Sequence, residues 1–384
     1  MYQRLLSLPA RQSCLLLGPR QTGKSTLLGA HLPPGSWSVD LLDQATHLRY
    51  LREPAQFRRE AQARIDAGVR TILVDEIQKQ PALLDEVHSL IETRKVRFLL
   101  SGSSARKLKR GGANLLAGRA VVRRLHPLTK AEAGDAFDLD RFLRFGSLPA
   151  VVGAKDGEAR DLLETYADTY LREEIQAEAL VRNLGGFARF LDVAAAQCGD
   201  LLNMSAVARD AALAQRTVQE YFQILEDTLL GFRLEAWTRS PRGRLVAHPR
   251  FYFFDTGVTN ALNRRLTGPI DPSARGRLFE QWVVLECLRR IDYARSEARP
   301  FFWRTNNGAE VDLLIEKHGR LRAAIEIKSR KTIVGADLSG LRSFGDAHPS
   351  VPRIVAALVP EPFRIGDVEV LPVLRFLARL EEWI

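Results

Sequence analysis

The chain has 384 residues, 46% hydrophobic and 27% charged, an ordinary balance for a soluble globular protein of two or three domains. Its formal net charge is +10, carried mostly by arginine, which favours an anionic partner with nucleic acid first and equally fits an arginine-rich solvated surface. Cys14, Cys198 and Cys287 lie far apart with no C-x-x-C pair, and no window nears membrane-spanning length. A zinc site, a disulfide framework and a membrane partner are therefore not expected, and the cytoplasm is.

The first informative stretch is Gly18-Pro19-Arg20-Gln21-Thr22-Gly23-Lys24-Ser25-Thr26, which fits G-x-x-x-x-G-K-[S/T] without a mismatch. The apolar residues 14–17 before it read as a buried strand, and residues 26–30 after it read as a helical turn. Glycines let such a loop turn its backbone N–H groups toward phosphate oxygens, and the helix N-terminus adds partial positive charge. Gly18 through Thr26 are thus expected to cradle a nucleoside triphosphate. Lys24 is expected to reach the β- and γ-phosphates, and Ser25 to bind Mg²⁺.

Residues 36–40 read as a short strand, and residues 44–51 and 56–67 as helices separated by Pro54. Residues 71–76 form an apolar strand ending in Asp75 and Glu76. This strand is expected next to the P-loop strand, with Asp75 holding Mg²⁺ through water and Glu76 orienting and deprotonating the attacking water. An amphipathic helix over 80–94 leads to a strand over 96–100 that runs into Ser101-Gly102-Ser103-Ser104. Ser101, with Ser103 as second choice, fits a sensor of the γ-phosphate or the water, and fits a turn cap equally well. Arg106 and Arg119 are candidates for a cation that stabilises the transition state, in the same subunit or in a neighbour's.

Residues 1–128 therefore read as an α/β P-loop core. Residues 129–182 are mostly helical, including 159–175, and resemble the lid that follows the core in AAA-type ATPases. Residues 183–262 read as a winged helix-turn-helix. An apolar helix over 187–198 comes first, then a short helix over 204–209 capped by Asn203 and another over 215–225. Strands over 231–234 and 250–254 follow, joined by a loop with Arg239, Arg242 and Arg244. Gln215, Arg216, Gln219 and Glu220 are expected to face outward, and the wing suits phosphate contacts. The same fold also serves protein packing or links domains.

In residues 263–384, a helix over 276–290 carries Glu280. Glu310-Val311-Asp312 opens one strand, His318-Gly319 turns, and Glu326-Ile327-Lys328 ends the next. Residues two apart on a strand share a face, so a hairpin in register brings Asp312, Glu326 and Lys328 together. Glu280, Asp312 and Glu326 make an oxygen-rich set for a divalent metal, with Lys328 beside them as the catalytic cation. This is the pattern of the PD-(D/E)xK nuclease-like fold, which also occurs as a scaffold.

The chain resembles prokaryotic AAA-family ATPases that join a P-loop core to a winged helix and a C-terminal domain of unknown function. The motifs that carry the resemblance centre on Gly18 to Ser25, Asp75-Glu76, Ser101 to Ser104, Gly118-Arg119 and Gly146 to Pro149. Asp255-Thr256-Gly257, Glu310-Val311-Asp312 and Glu326-Ile327-Lys328 complete them. The resemblance implies ATP rather than GTP. The lid departs from AAA+ proteins in lacking a second arginine sensor. One reading is a Mg²⁺-dependent ATPase coupled to binding or processing duplex or branched DNA, assembled as a homo-oligomer, commonly a ring of six. A second is a nucleotide-dependent switch that binds a protein partner or operator DNA, with the C-terminal domain as scaffold. A third is an antitoxin-like or defence-associated module.

Overall fold

The computed structural model describes residues 2–104, 118–170, 183–238 and 248–384. Arg106, Arg239, Arg242 and Arg244 lie outside those residues. The chain divides into two compact units, residues 1–128 with 224–230 and residues 129–223 with 231–384. Among the described residues no helix is long and apolar enough to cross a membrane, and the three cysteines are buried free thiols.

The first unit is built on strands β1 (Ser13–Leu17), β2 (Trp37–Asp40), β3 (Thr71–Asp75), β4 (Arg97–Gly102) and β5 (Ala120–Arg124). They form one all-parallel sheet in the order β2-β3-β4-β1-β5. A parallel sheet buries both faces, which is why β1 and most of β3 and β4 read as unbroken apolar runs. Leu15, Val74, Phe98 and Leu100 pack with Tyr50, Phe57, Ile65, Leu84 and Val87 from the helices into a single core.

Two expectations change here. Pro54 does not separate two helices but opens the second, at the first position of Pro54–Asp66, where its missing N–H costs nothing. The Asp75 strand is also not beside the P-loop strand. β4, with Ser101 at its end, lies between them, because β1 pairs with β4 and β4 with β3. Strand order is a non-local property that hydropathy along one segment does not encode.

The second unit begins with the short helices Lys130–Ala133, Leu139–Phe145 and Pro149–Val152 and the longer Asp156–Thr165. The helix expected over 159–175 starts earlier, at Asp156, and continues as a π turn over Tyr166–Tyr170. Residues 171–175 lie outside the described residues. Helices Leu184–Ala196, Met204–Asp210 and Gln215–Asp227 follow, the last ending in residues 224–227 that group with the first unit, and Asn203 caps the second by accepting from the Ala206 N–H at 3.0 Å. Strands β6 (Gly231–Leu234) and β7 (Arg250–Phe253) pair antiparallel. Phe190 and Phe222 meet edge to face, and so do Phe222 and Phe251, tying helices and hairpin into one aromatic core.

Beyond them lie the long helix Pro272–Tyr293 and strands β8 (Arg299–Arg304), β9 (Glu310–Lys317), β10 (Arg320–Lys328), β11 (Arg353–Ala357), β12 (Phe363–Ile365) and β13 (Val368–Pro372). The sheet order is β12-β13-β11-β10-β9-β8, with β9 and β10 antiparallel around the turn His318-Gly319. Both turn residues have positive φ, 52° and 73°, as a tight two-residue hairpin requires.

A buried ion pair fastens three segments of this unit. Asp255, fully buried, caps the helix Thr256–Leu262 by accepting from the Gly257 N–H at 2.9 Å. Its other oxygen accepts from the Ser147 N–H at 2.8 Å and lies 4.0 Å from the Arg289 guanidinium. Arg289, 1% exposed, also donates to the Ser147 hydroxyl and to the Phe254 carbonyl. Gly146 (φ 72°) lets the chain pass this close, because a Cβ there would sit 1.8 Å from the Asp255 carboxylate. Asp255→Ala removes one counter-charge from the buried guanidinium and the acceptor of the Gly257 and Ser147 N–H groups. We expect a loss of about 3–5 kcal/mol in urea unfolding; a loss under about 1 kcal/mol would show the pair to be dispensable.

Candidate functional site

At the carboxyl edge of the parallel sheet the chain gathers the residues of the two nucleotide motifs. The loop after β1 turns through Gln21 (φ 62°) and Gly23 (φ 90°) before the helix Lys24–Ala30 begins. Gly18 sits so close to the following wall that a Cβ would lie 2.3 Å from the Leu125 carbonyl oxygen. Thr22 donates its hydroxyl to the Pro19 carbonyl at 2.9 Å, bracing the loop. Lys24 is 5% exposed, and its ammonium donates to the Gly18 and Pro19 carbonyls at 2.9 and 3.0 Å. Pro19 and Thr22 are buried, Arg20 and Gln21 half-buried, and Ser25 and Thr26 exposed on the first helical turn.

Ser101 is wholly buried at the end of β4. Its hydroxyl donates to Asp75 Oδ1 and accepts from the Glu76 N–H at 2.9 Å. A hydroxyl has one proton to donate, and here Ser101 spends it on Asp75 while accepting from the Glu76 N–H, so it holds the two acids in place. Glu76 takes the left-handed conformation (φ 58°), a strained choice for a side chain with a Cβ and one held by its surroundings. Its carboxylate accepts from the Gln78 amide, which also donates to the Ser103 hydroxyl at 2.9 Å. Gln78, 5% exposed, was not singled out from the sequence. Its signal was weak, one polar residue among several in Glu76-Ile77-Gln78-Lys79-Gln80. Arg119 is half-buried and pairs with Glu92 of the helix Leu83–Arg94.

In the second unit the expected acids do gather, around a residue the sequence reading passed over. Arg250, the first residue of β7, is 4% exposed. Its guanidinium donates to Glu280 at 2.8 Å, lies 2.6 Å from Glu310 and 3.8 Å from Asp312, and stacks over the Phe302 ring at 4.9 Å. Tyr252 donates its hydroxyl to the same Glu280 oxygen at 2.7 Å. The other Asp312 oxygen accepts from the Ile327 N–H at 2.8 Å. Lys328 binds Glu326 at 2.6 Å, and Arg304 binds Glu310 at 2.8 Å.

Burial pushes Glu280 up to about 7 and Glu326 up to about 8, with the Asp312 charge adding to both. Burial works against the Arg250 charge, but Glu280, Asp312 and Glu310 outweigh it and hold the guanidinium protonated. An arginine that opens an otherwise apolar strand was the available signal, since a buried charge requires partners.

A family profile described as an AAA domain matches residues 10–133. Profiles described as domains of unknown function, DUF8612 and DUF4143, match residues 136–268 and 275–376. Residues 10–133 are similar to AAA domains. Uncharacterized proteins of Mycobacterium tuberculosis and Mycobacterium bovis are each 28% identical over 328 residues, 83% of this chain and 70% of theirs. An uncharacterized protein of Haemophilus influenzae is 23% identical over 301 residues, 72% of this chain and 74% of its own. Among solved structures, the replication initiator DnaA bound to AMPPCP and single-stranded DNA is similar over 56% of this chain and 82% of that one. Its TM-score is 0.28 and its identity 15%.

The AAA-like matched region contains Lys24, Ser25, Asp75, Glu76, Gln78, Ser101 and Arg119. On the helix Gln215–Asp227, the four residues expected to face outward, Gln215, Arg216, Gln219 and Glu220, are all exposed. Arg216 pairs with Glu220 one turn on, at 3.4 Å.

Ser101→Ala strips the Glu76 N–H of its acceptor and Asp75 of its donor inside the AAA-like unit. A loss of about 1–3 kcal/mol in chemical unfolding is expected. Ser101→Thr keeps the hydroxyl and should lose less; equal losses from both would assign the effect to packing alone.

Proposed function

We propose that the chain is a Mg²⁺-dependent ATPase whose turnover is coupled to DNA binding. The observation that carries this reading is the assembly of a braced P-loop and an Asp-Glu pair at the carboxyl edge of a parallel sheet, in the region similar to AAA domains. The P-loop backbone N–H groups, Gly18 through Thr26, receive the phosphates, and Lys24 neutralises the β/γ charge. The donor set at this edge is oxygen only, the Ser25 hydroxyl and the Asp75 carboxylate, which suits Mg²⁺. Ser25 and Asp75 would hold the ion, and when bound it neutralises charge that develops on the phosphate oxygens. Glu76 accepts a proton from the attacking water, while Gln78 fixes its carboxylate and Ser101 fixes its backbone. Arg119 acts on the transition state only if it leaves Glu92, in its own subunit or toward a neighbour in a homo-oligomer such as a ring of six.

Coupling to DNA is supported by the net charge of +10 and the exposed face with Gln215, Arg216, Gln219 and Glu220. The helix pair with its antiparallel hairpin is read as a winged helix, and residues 129–182 as the lid. The six-stranded mixed sheet with the helix Pro272–Tyr293 is read as a PD-(D/E)xK-like fold. Where that fold cleaves, Glu280, Asp312 and Glu326 hold a metal and Lys328 acts beside them. The engagement of Arg250 with Glu280 and Asp312 favours the second reading of this domain, an inactive scaffold. No cleavage step follows from that arrangement.

The test is ATP hydrolysis with Mg²⁺, alone and with duplex, branched or single-stranded DNA, with the DNA run on a gel afterwards. Stimulation by one DNA form that weakens steeply with salt is expected, because phosphate contacts release counterions. Glu76→Gln should slow turnover by about 10²- to 10⁴-fold while retaining bound ATP. Lys24→Ala should lose both binding and turnover. Slow turnover indifferent to DNA would instead make the protein a nucleotide switch. Nicking that Asp312→Ala removes would restore the nuclease reading.

A further inference from the structure

The acid cluster of the second unit has the composition of a divalent-metal site, but cations and a backbone N–H already engage most of the named oxygens, leaving Glu326 Oε2 buried without a hydrogen-bond partner. Arg250 Nη1 reaches both Glu280, at 2.8 Å, and Asp312, at 3.8 Å. A Mg²⁺ ion ligated by both carboxylates sits about 2 Å from each oxygen, so that nitrogen competes with it for the Glu280 oxygen it already binds. The second Asp312 oxygen is held by the Ile327 N–H, and Glu326 Oε1 by Lys328. Glu310, which faces the same space, is bridged by Arg250 and Arg304. Among the described residues no three His, Cys, Asp or Glu side chains are arranged to hold a metal ion.

The guanidinium is also supported from outside the acids. Phe302 of β8 lies against its face, and the Tyr252 hydroxyl shares the Glu280 oxygen it binds. Its five N–H donors in a fixed plane suit several carboxylates at once, as a spherical ion suits converging oxygens. The contacts join β7 to the helix Pro272–Tyr293 through Glu280 and to β9 through Glu310 and Asp312.

We infer that Arg250 is the resident cation of the Glu280, Glu310 and Asp312 cluster, standing where a divalent metal would stand. The cluster is therefore a socket that fastens the hairpin to the six-stranded sheet, and not a hydrolytic metal centre. This inference is independent of nucleotide turnover in the first unit.

The test is titration of the full chain with Mn²⁺ alone, followed by the electron paramagnetic resonance signal of the free ion. Asp75→Asn is carried throughout to silence the P-loop acid. That protein is expected to leave Mn²⁺ in solution, and adding Asp312→Asn should change nothing. Adding Arg250→Met instead should lower the melting temperature in chelator and create a Mn²⁺ site whose occupancy restores part of that loss. Tight Mn²⁺ binding by the Asp75→Asn protein that Asp312→Asn abolishes would overturn the inference. So would a melting temperature that Arg250→Met leaves unchanged. If Arg250→Met does not fold, the comparison of Asp75→Asn with and without Asp312→Asn still decides.

Discussion

A charge taken out of water must be met by opposite charge or by aimed dipoles, and both units are arranged around buried cations that obey this constraint. Lys24 is met by the carbonyls of its own loop, Arg289 by Asp255 and the Phe254 carbonyl, and Arg250 by three carboxylates. Each cation joins pieces of chain distant in sequence or shapes a tight loop. The energetic consequence is asymmetric, since the satisfied pair contributes modestly whereas removing one partner exposes the full cost of the other.

In the first unit this constraint combines with the sheet. Parallel strands place all their carboxyl ends on one edge, so the P-loop after β1, the acids after β3 and the serines after β4 arrive together. The order β3-β4-β1 then sets the contacts at that edge, because β4 lies between the P-loop strand and the Asp75 strand and its Ser101 bonds the acids directly. Glu76 keeps a strained backbone that Ser101 and the 3₁₀ turn Ile77–Lys79 hold in place. Such pre-positioning is what the proposed role of Glu76 as general base requires, so that little reorganisation accompanies reaction.

The sequence carried local features well and pairwise ones poorly. The P-loop, the strand ending in Asp75 and Glu76, the Asn203 cap and the His318-Gly319 hairpin each depend on neighbours in the chain, and all were legible. The position of β4 between β3 and β1 was not, because strand order is decided by packing across the whole sheet. Arg250 shows the limit most clearly. Glu280, Asp312 and Glu326 were recognisable as an acid set by spacing, yet the cation among them comes from β7, 30 residues before Glu280. Spacing reports which carboxylates converge and not what neutralises them. Gln78 was missed for a related reason, as its partners Glu76 and Ser103 lie on two different strand ends.

The central claim is that the loop holding Lys24 is a working triphosphate site, and the position of that ammonium tests it most directly. A crystal structure of the Glu76→Gln protein with ATP and Mg²⁺ locates it. The account predicts the Lys24 nitrogen within about 3 Å of a β- or γ-phosphate oxygen, with the phosphates against the N–H groups of Gly18 through Thr26. Nucleotide bound elsewhere, or phosphates out of reach of a Lys24 that keeps its bonds to the Gly18 and Pro19 carbonyls, would contradict it.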